Sequence, residues 1–201
     1  MEYLLCGLTG YLLGCFNTAC LVGWIRGVDI RSQGSRNPGA SNITITMGWR
    51  LGALVALGDI LKAVAAVALC RWLFPTLAEP GLVAGVFCIL GHMFPFYLAF
   101  RGGKGFASYL GMVLALSWRT ALVLILLAAL ITFLTDYIAY ATLFTAAAFP
   151  AWYWYAGGGT AGLCLLAALA GVILWKHREN LRRIRRGEET GLRKVPMGTR
   201  K

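Results

Sequence analysis

Three polar segments interrupt an otherwise apolar sequence, and each holds residue types suited to an anion. The first is Gly34-Ser35-Arg36-Asn37-Pro38-Gly39-Ala40-Ser41-Asn42. Backbone rich in Gly, Asn and Ser enters positive φ readily and turns successive N–H groups toward one anion. Ser35, Asn37, Ser41 and Asn42 add side-chain donors, and Arg36 adds a charge. An ordinary interhelical loop has a similar composition, so this segment alone decides nothing. The second runs from Gly91-His92-Met93-Phe94-Pro95 to Arg101-Gly102-Gly103-Lys104-Gly105. Glycines and a lysine just before a helix suit a phosphate, because the first-turn N–H groups have no intrahelical partner and the helix dipole favours negative charge. The Gly-x-x-x-x-Gly-Lys-Ser/Thr spacing of a nucleotide-binding loop is absent. In the third, His177 and Asn180 stand three apart and share a face of a helix. Arg182, Arg183, Arg185, Arg186 and Gly187-Glu188-Glu189 follow. Most of those arginines read as a stripe facing solvent or lipid head groups. His177 is one of two histidines and lies at the edge of an apolar run.

Asp59 and Lys62 lie three apart inside an apolar stretch. Ionisable groups in a membrane span are functional candidates by default. Their spacing also lets them pair with each other, and structural support is the expected role. The six cysteines, Cys6, Cys15, Cys20, Cys70, Cys88 and Cys164, all lie in apolar stretches without a Cys-x-x-Cys pair. They read as small hydrophobes, with neither a disulfide framework nor a metal site implied.

The elements that must position these segments are membrane helices. The chain has 201 residues, is 59% hydrophobic and has a mean hydropathy of +0.69. At ~20 residues per crossing there is room for several spans and no separate soluble domain. The N-terminus lacks a basic region ahead of its first apolar run, so that run is expected to be a permanent span and not a cleaved signal. Apolar runs cover 3–24, 51–72, 81–100, 106–116, 121–135, 137–155 and 161–175. The fourth and fifth are short, separated by Ser117-Trp118-Arg119-Thr120. Counting them separately puts Arg26, Arg31, Arg36, Arg50, Arg101, Lys104 and the basic tail on one side of the bilayer. Only Arg71 and Arg119 then lie on the other, with Lys62 inside a span. Merging them would put the tail on the far side, against the positive-inside bias. The expected fold is therefore all-α: a single polytopic domain over 1–201, seven transmembrane helices, N-terminus outside. A short basic cytoplasmic tail starts at about 177. The net charge of +11 suits anionic substrates and lipid rather than nucleic acid.

Taken in order, the three segments resemble the motifs of the bacterial acyl-phosphate:glycerol-3-phosphate acyltransferases, and the resemblance covers the whole chain. The matching residues are Gly34-Ser35, Asn37-Pro38-Gly39-Ala40-Ser41-Asn42, Gly91-His92, Phe94-Pro95, Gly102-Gly103-Lys104-Gly105, His177, Asn180, Arg183, Gly187 and Glu189. Asp59 and Lys62 also fit the family's second helix. The resemblance implies a multi-pass enzyme of the bacterial inner membrane, working at the cytoplasmic face. It would move a fatty acyl group from acyl phosphate to the sn-1 hydroxyl of glycerol 3-phosphate, yielding lysophosphatidic acid and phosphate. Neither coenzyme A nor acyl carrier protein is the direct donor in that family. Two positions depart from its pattern. Arg36 stands where a small residue is usual, and Ile45 stands where the family has an arginine thought to hold the acceptor's phosphate. Arg36 is a candidate to meet that anion from another direction.

Acyl phosphate is a mixed anhydride and arrives activated. The enzyme must align the hydroxyl, stabilise the developing oxyanion and receive the leaving phosphate. On this reading Lys104, Ser35 and the N–H groups of Gly102 and Gly103 bind phosphate. Arg36 and Asn42 also line the substrate site, and Asn37, Asn180 and His177 position the acceptor. The proton goes either to His177 or to a substrate phosphate oxygen. No cofactor, metal or acyl-enzyme is called for, and a monomer suffices. The histidine-plus-aspartate chemistry of soluble-type acyltransferases is absent, since Tyr97 and Arg182 stand five places after the two histidines. The alternatives are a related acyltransferase with another phosphorylated acceptor and an anion transporter. Small size, lack of repeats and polar groups gathered on one face argue against transport.

Overall fold

A computed structural model describes residues 1–194, and all regular structure among them is helical. Arg200 and Lys201 of the expected tail lie outside the described residues. Five helical segments are long and apolar enough to cross a membrane: Glu2–Ile25, Trp49–Leu73, Pro80–Leu98, Trp118–Thr135 and Thr160–Arg185. The described residues divide into two compact units, Met1–Leu116 and 117–194.

In the first unit the opening apolar run forms two helices, α1 (Glu2–Cys15) and α2 (Thr18–Ile25). The Asn17 side chain makes the break. Its Oδ1 accepts the Cys20 N–H at 2.8 Å and so caps α2. The segment expected to be loop from 26 to 50 contains a further helix, α3 (Ala40–Met47). After Gly39 the sequence holds neither Gly nor Pro for eight residues. Ile43 is fully buried in a cluster with Ala19, Val22, Ile30 and Val55 that draws this stretch inward. Then follow α4 (Trp49–Leu73), α5 (Pro80–Met93) and α6 (Phe106–Leu116).

Small residues let these helices pack backbone to backbone, the usual device where lipid supplies no hydrophobic contrast. A Cβ on Gly10 or Gly14 of α1 would strike the carbonyl oxygens of Ala84 and Cys88 on α5. Cys6, Cys70 and Cys88 fill the same seam beside Ala63, Ala66 and Ala84, the place expected of small hydrophobes. Contacts at both ends order the unit. Tyr3 Oη donates to the Ala78 carbonyl, and Arg71 donates to Ala115, placing the α4–α5 link and the end of α6 beside the start of α1. At the opposite end Tyr11 Oη donates to Phe94 and Tyr97 Oη to Cys15, both at 2.8 Å. Asn17 also donates to the Pro38 carbonyl, so the loops 26–39 and 94–105 lie at the same end of this unit.

The second unit holds α7 (Trp118–Thr135), α8 (Ile138–Tyr155) and α9 (Thr160–Arg185). The expected four-residue separation before α7 narrows to Ser117, whose hydroxyl accepts the Thr120 N–H. That extends α7 to 18 residues and leaves α6, at 11, as the short helix. After α9 the chain doubles back. The Leu192 N–H donates to the Asp136 carbonyl at 3.0 Å, and the Arg193 N–H to Asp136 Oδ1 at 2.8 Å. The α7–α8 turn and the start of the tail thus share one end of this unit.

Candidate active site

The loop at 34–42 is built around Asn42, which is fully buried. Its Nδ2 donates to the carbonyls of Ile30 and Gln33, both at 3.0 Å, and its Oδ1 accepts the Ser35 N–H at 2.8 Å. The amide expected from sequence to be a substrate donor is thereby engaged with its own loop. Gly34 and Arg36 both take positive φ, 54° and 58°, and the Arg36 N–H closes the turn onto Gln33 at 2.8 Å. This folding leaves Ser35, Arg36 and Ser41 exposed and Asn37 half-buried. Beside the loop, Asp29 accepts hydrogen bonds from Arg31, which hold its carboxyl below the usual range. An open cleft of about 560 Å³ here is lined by Trp24, Val28, Asp29, Ile30, Arg31 and neighbours, and by none of the predicted site residues.

The second loop corrects a sequence-based expectation. The N–H groups of Gly102 and Gly103 do not point outward to a phosphate. They donate to the carbonyls of Met93 and His92, each at 3.1 Å. The last carbonyls of a helix have no intrahelical donor, and here the returning loop satisfies two at the end of α5. What the glycines supply is clearance. A side chain on Gly102 would strike the His92 carbonyl and Pro95, and one on Gly103 the His92 imidazole. Both are buried, and the close packing sets Lys104, half-buried, directly before α6.

Beneath the two loops lies a buried ionic cluster. Lys62 Nζ sits 2.8 Å from Asp59 Oδ1 and 2.8 Å from His92 Nδ1, and His92 Nδ1 is 3.5 Å from Asp59 Oδ1. The expected Asp59–Lys62 pair is thus a trio, and His92 is the member that sequence reasoning left without a role. The break after α1 completes the surroundings: Lys62 also donates to the Phe16 carbonyl at 2.8 Å, and the Thr18 hydroxyl donates to Asp59 at 3.2 Å. A charge taken out of water needs partners on every side, and the kinked first span provides them. Asn17 was also missed. Its Nδ2 donates to the Pro38 carbonyl at 3.2 Å. The only signal in the sequence was one asparagine inside an apolar run.

In the second unit His177 and Asn180 are buried on one face of α9, at 3% and 7% exposure. His177 Nδ1 is 2.9 Å from the Ile173 carbonyl. A carbonyl only accepts, so Nδ1 is the donor in this contact. The Asn180 amide donates to Glu189 Oε1, and Arg183 Nε to Oε2 of the same carboxylate, both at 2.5 Å. Gly187, at φ 70°, makes the turn that brings Glu189 back.

Comparison with known proteins places this arrangement in context. Residues 4–187 match a family model described as glycerol-3-phosphate acyltransferase. The chain is 38% identical over 199 residues to glycerol-3-phosphate acyltransferase 1 of Oceanobacillus iheyensis, covering 96% of each chain. It is 41% identical over 182 residues to a glycerol-3-phosphate acyltransferase of Nitrobacter winogradskyi, covering 90% of this chain and 91% of that one. Among solved structures it resembles PlsY, an integral membrane glycerol 3-phosphate acyltransferase. With the glycerol 3-phosphate form the TM-score is 0.88 at 30% identity, over 96% of both chains. With the lysophosphatidic acid form it is 0.85 at 30% identity, over 95% of both.

Proposed function

The chain belongs to the glycerol-3-phosphate acyltransferase family and is an acyltransferase of the membrane, and from that premise we propose that it moves a fatty acyl group from acyl phosphate to the sn-1 hydroxyl of glycerol 3-phosphate, giving lysophosphatidic acid and inorganic phosphate. The observation that carries this reading is the chain-wide likeness to PlsY structures holding glycerol 3-phosphate and lysophosphatidic acid, the acceptor and product of that transfer. The donor is assigned on chemistry. A mixed anhydride needs no covalent enzyme intermediate, and the motif residues offer donors and cations for phosphate but no nucleophile paired with a base.

In the proposed reaction the sn-1 oxygen bonds to the carbonyl carbon, the carbon–oxygen bond to phosphate breaks, and the hydroxyl proton passes to a base. Lys104 and Ser35 hold phosphate, and the exposed Arg36 supplies the charge that Ile45 does not. Asn37, Asn180 and His177 position the acceptor. The proton acceptor is His177 or a substrate phosphate oxygen. Asn42, Gly102 and Gly103 act by building the loops. The whole chain works as one catalytic domain, a monomer with seven spans in the bacterial inner membrane, N-terminus outside and these loops at the cytoplasmic face.

The test uses detergent-purified protein with glycerol 3-phosphate and either palmitoyl phosphate or palmitoyl coenzyme A. Lysophosphatidic acid formed from palmitoyl phosphate alone, and abolished by Lys104→Ala, is the expected result. Product from palmitoyl coenzyme A would overturn the donor assignment. Consumption of acyl phosphate without lysophosphatidic acid would move the acceptor to another phosphorylated alcohol.

A further inference from the structure

The break between α1 and α2 touches both candidate loops within four residues. Tyr97, from the loop after α5, donates to the Cys15 carbonyl. Lys62, itself 2.8 Å from His92, donates to the Phe16 carbonyl. Asn17 donates to Pro38 in the 34–42 loop. Thr18 donates to Asp59. A bonded path therefore runs from Pro38 through Asn17, Phe16, Lys62 and His92 to the Gly103 N–H, one residue short of Lys104. A straight span would offer none of these partners, because its own ladder would engage every carbonyl and no side chain would sit at a cap.

We propose that this break is a joint holding the two loops in register, and that Asn17 is the positioning residue through which it acts on the 34–42 loop. The Asn17 side chain divides its work by atom. Oδ1 caps α2, a local and structural duty. Nδ2 reaches Pro38, 21 positions away in the chain, one residue beyond Asn37 and three beyond Ser35. Pro38 is buried, so the bond is shielded from water and fixes the base of the loop. Releasing it lets Ser35, Arg36 and Asn37 drift from Lys104 without unfolding α2. This inference rests on the proposed role of that loop in holding the phosphorylated acceptor.

The division by atom supplies the test. Asn17→Asp keeps the cap acceptor and removes the donor to Pro38. Asn17→Ser keeps a capping oxygen on a side chain too short to reach Pro38, and serves if the aspartate variant does not accumulate. Initial rates against glycerol 3-phosphate and palmitoyl phosphate are measured for these variants, for Ser35→Ala, and for the double variant, each alongside its thermal unfolding midpoint in detergent. The expected result is a KM for glycerol 3-phosphate raised about fivefold, the scale of one shielded hydrogen bond. The unfolding midpoint falls by no more than the scale of one buried hydrogen bond, and the KM for palmitoyl phosphate stays unchanged. The double variant should be less than multiplicative, as coupled residues are. Ser35→Ala raising that KM while both Asn17 variants leave it alone would overturn the joint and leave the loop's role standing. Asn17 variants raising it while Ser35→Ala does not would keep the joint and remove Ser35 from the acceptor site. A fall in the unfolding midpoint and in rate with no rise in the KM for glycerol 3-phosphate, in both Asn17 variants, would reduce Asn17 to a helix cap.

Discussion

At the scale of single residues the 34–42 loop separates builders from candidates for contact. Asn42 is a builder. Asn42→Ala would remove three hydrogen bonds at once, those to the Ser35 N–H and to the carbonyls of Ile30 and Gln33. Each unmade buried bond costs ~1–3 kcal/mol, so thermal unfolding in detergent should show a clear loss of stability. Ser35 is exposed, and Ser35→Ala should leave stability within about 0.5 kcal/mol while weakening acceptor binding. Equal loss of stability in both variants would contradict this division. Arg36 carries a second tension, because its φ of 58° is unfavourable for any residue with a Cβ. Arg36→Gly relieves that strain and removes the charge together. Stability should hold or rise, while the KM for glycerol 3-phosphate rises by about fivefold to tenfold, the range of a hydrogen bond to a charged group. Arg36→Lys should restore part of the binding. An unchanged KM in the glycine variant would show that Arg36 does not stand in for the cation absent at Ile45.

At the scale of elements the decisive object is the buried Asp59–Lys62–His92 cluster between α4, α5 and the α1–α2 break. Removing one charge of a buried pair strands the other, at about 3–5 kcal/mol, whereas replacing both with groups of similar volume is close to neutral. Lys62→Met should therefore be strongly destabilising, and adding Asp59→Leu to it should recover much of the unfolding midpoint. Activity should not recover in parallel, because His92 would still lack the Lys62 Nζ that lies 2.8 Å from its Nδ1. Recovery of full activity would reduce the cluster to packing. These elements mark the limit of sequence reading. Long apolar runs announced the helices, because a period without charge has few other uses. The α1–α2 break was hidden, since one asparagine in an apolar run carries no periodic signal. So was α3, whose helical state depends on burying Ile43 in a distant cluster. The N–H groups of Gly102 and Gly103 were read in the wrong direction, because composition does not say which way a peptide plane faces. The carboxylate of Glu189 was legible only by resemblance, since the turn at Gly187 that returns it to Asn180 is set by folding.

At the scale of the whole molecule the open question is how the elements meet the bilayer. Helix α6, with 11 residues, spans only ~16 Å at 1.5 Å per residue, against a hydrocarbon core of ~30 Å. Treating α6 and α7 as one crossing gives six spans, and treating them separately gives seven, with thinning or tilt around the short helix. The charge bias favours seven, because it keeps Arg26, Arg31, Arg36, Arg50, Arg101 and Lys104 on the side of the tail. The contacts inside each unit fit six spans as well as seven. Loops 26–39 and 94–105 share one end of the first unit, and the Asp136 turn shares one end of the second with residues 192–193. Four exposed positions tell the two topologies apart, two as controls and two at which they differ. In a variant freed of the native cysteines, single cysteines at Ser32, Thr76, Gly159 and Thr190 are challenged with a membrane-impermeant maleimide in right-side-out and inverted vesicles. Seven spans with the N-terminus outside predict that Ser32 and Thr190 label only from the cytoplasmic face, and Thr76 and Gly159 only from outside. Six spans keep Ser32 and Thr76 where they are and exchange Gly159 with Thr190. That exchange would put His177 and Asn180 across the membrane from Lys104, so one labelling experiment also decides whether all the proposed catalytic residues can serve one substrate pair.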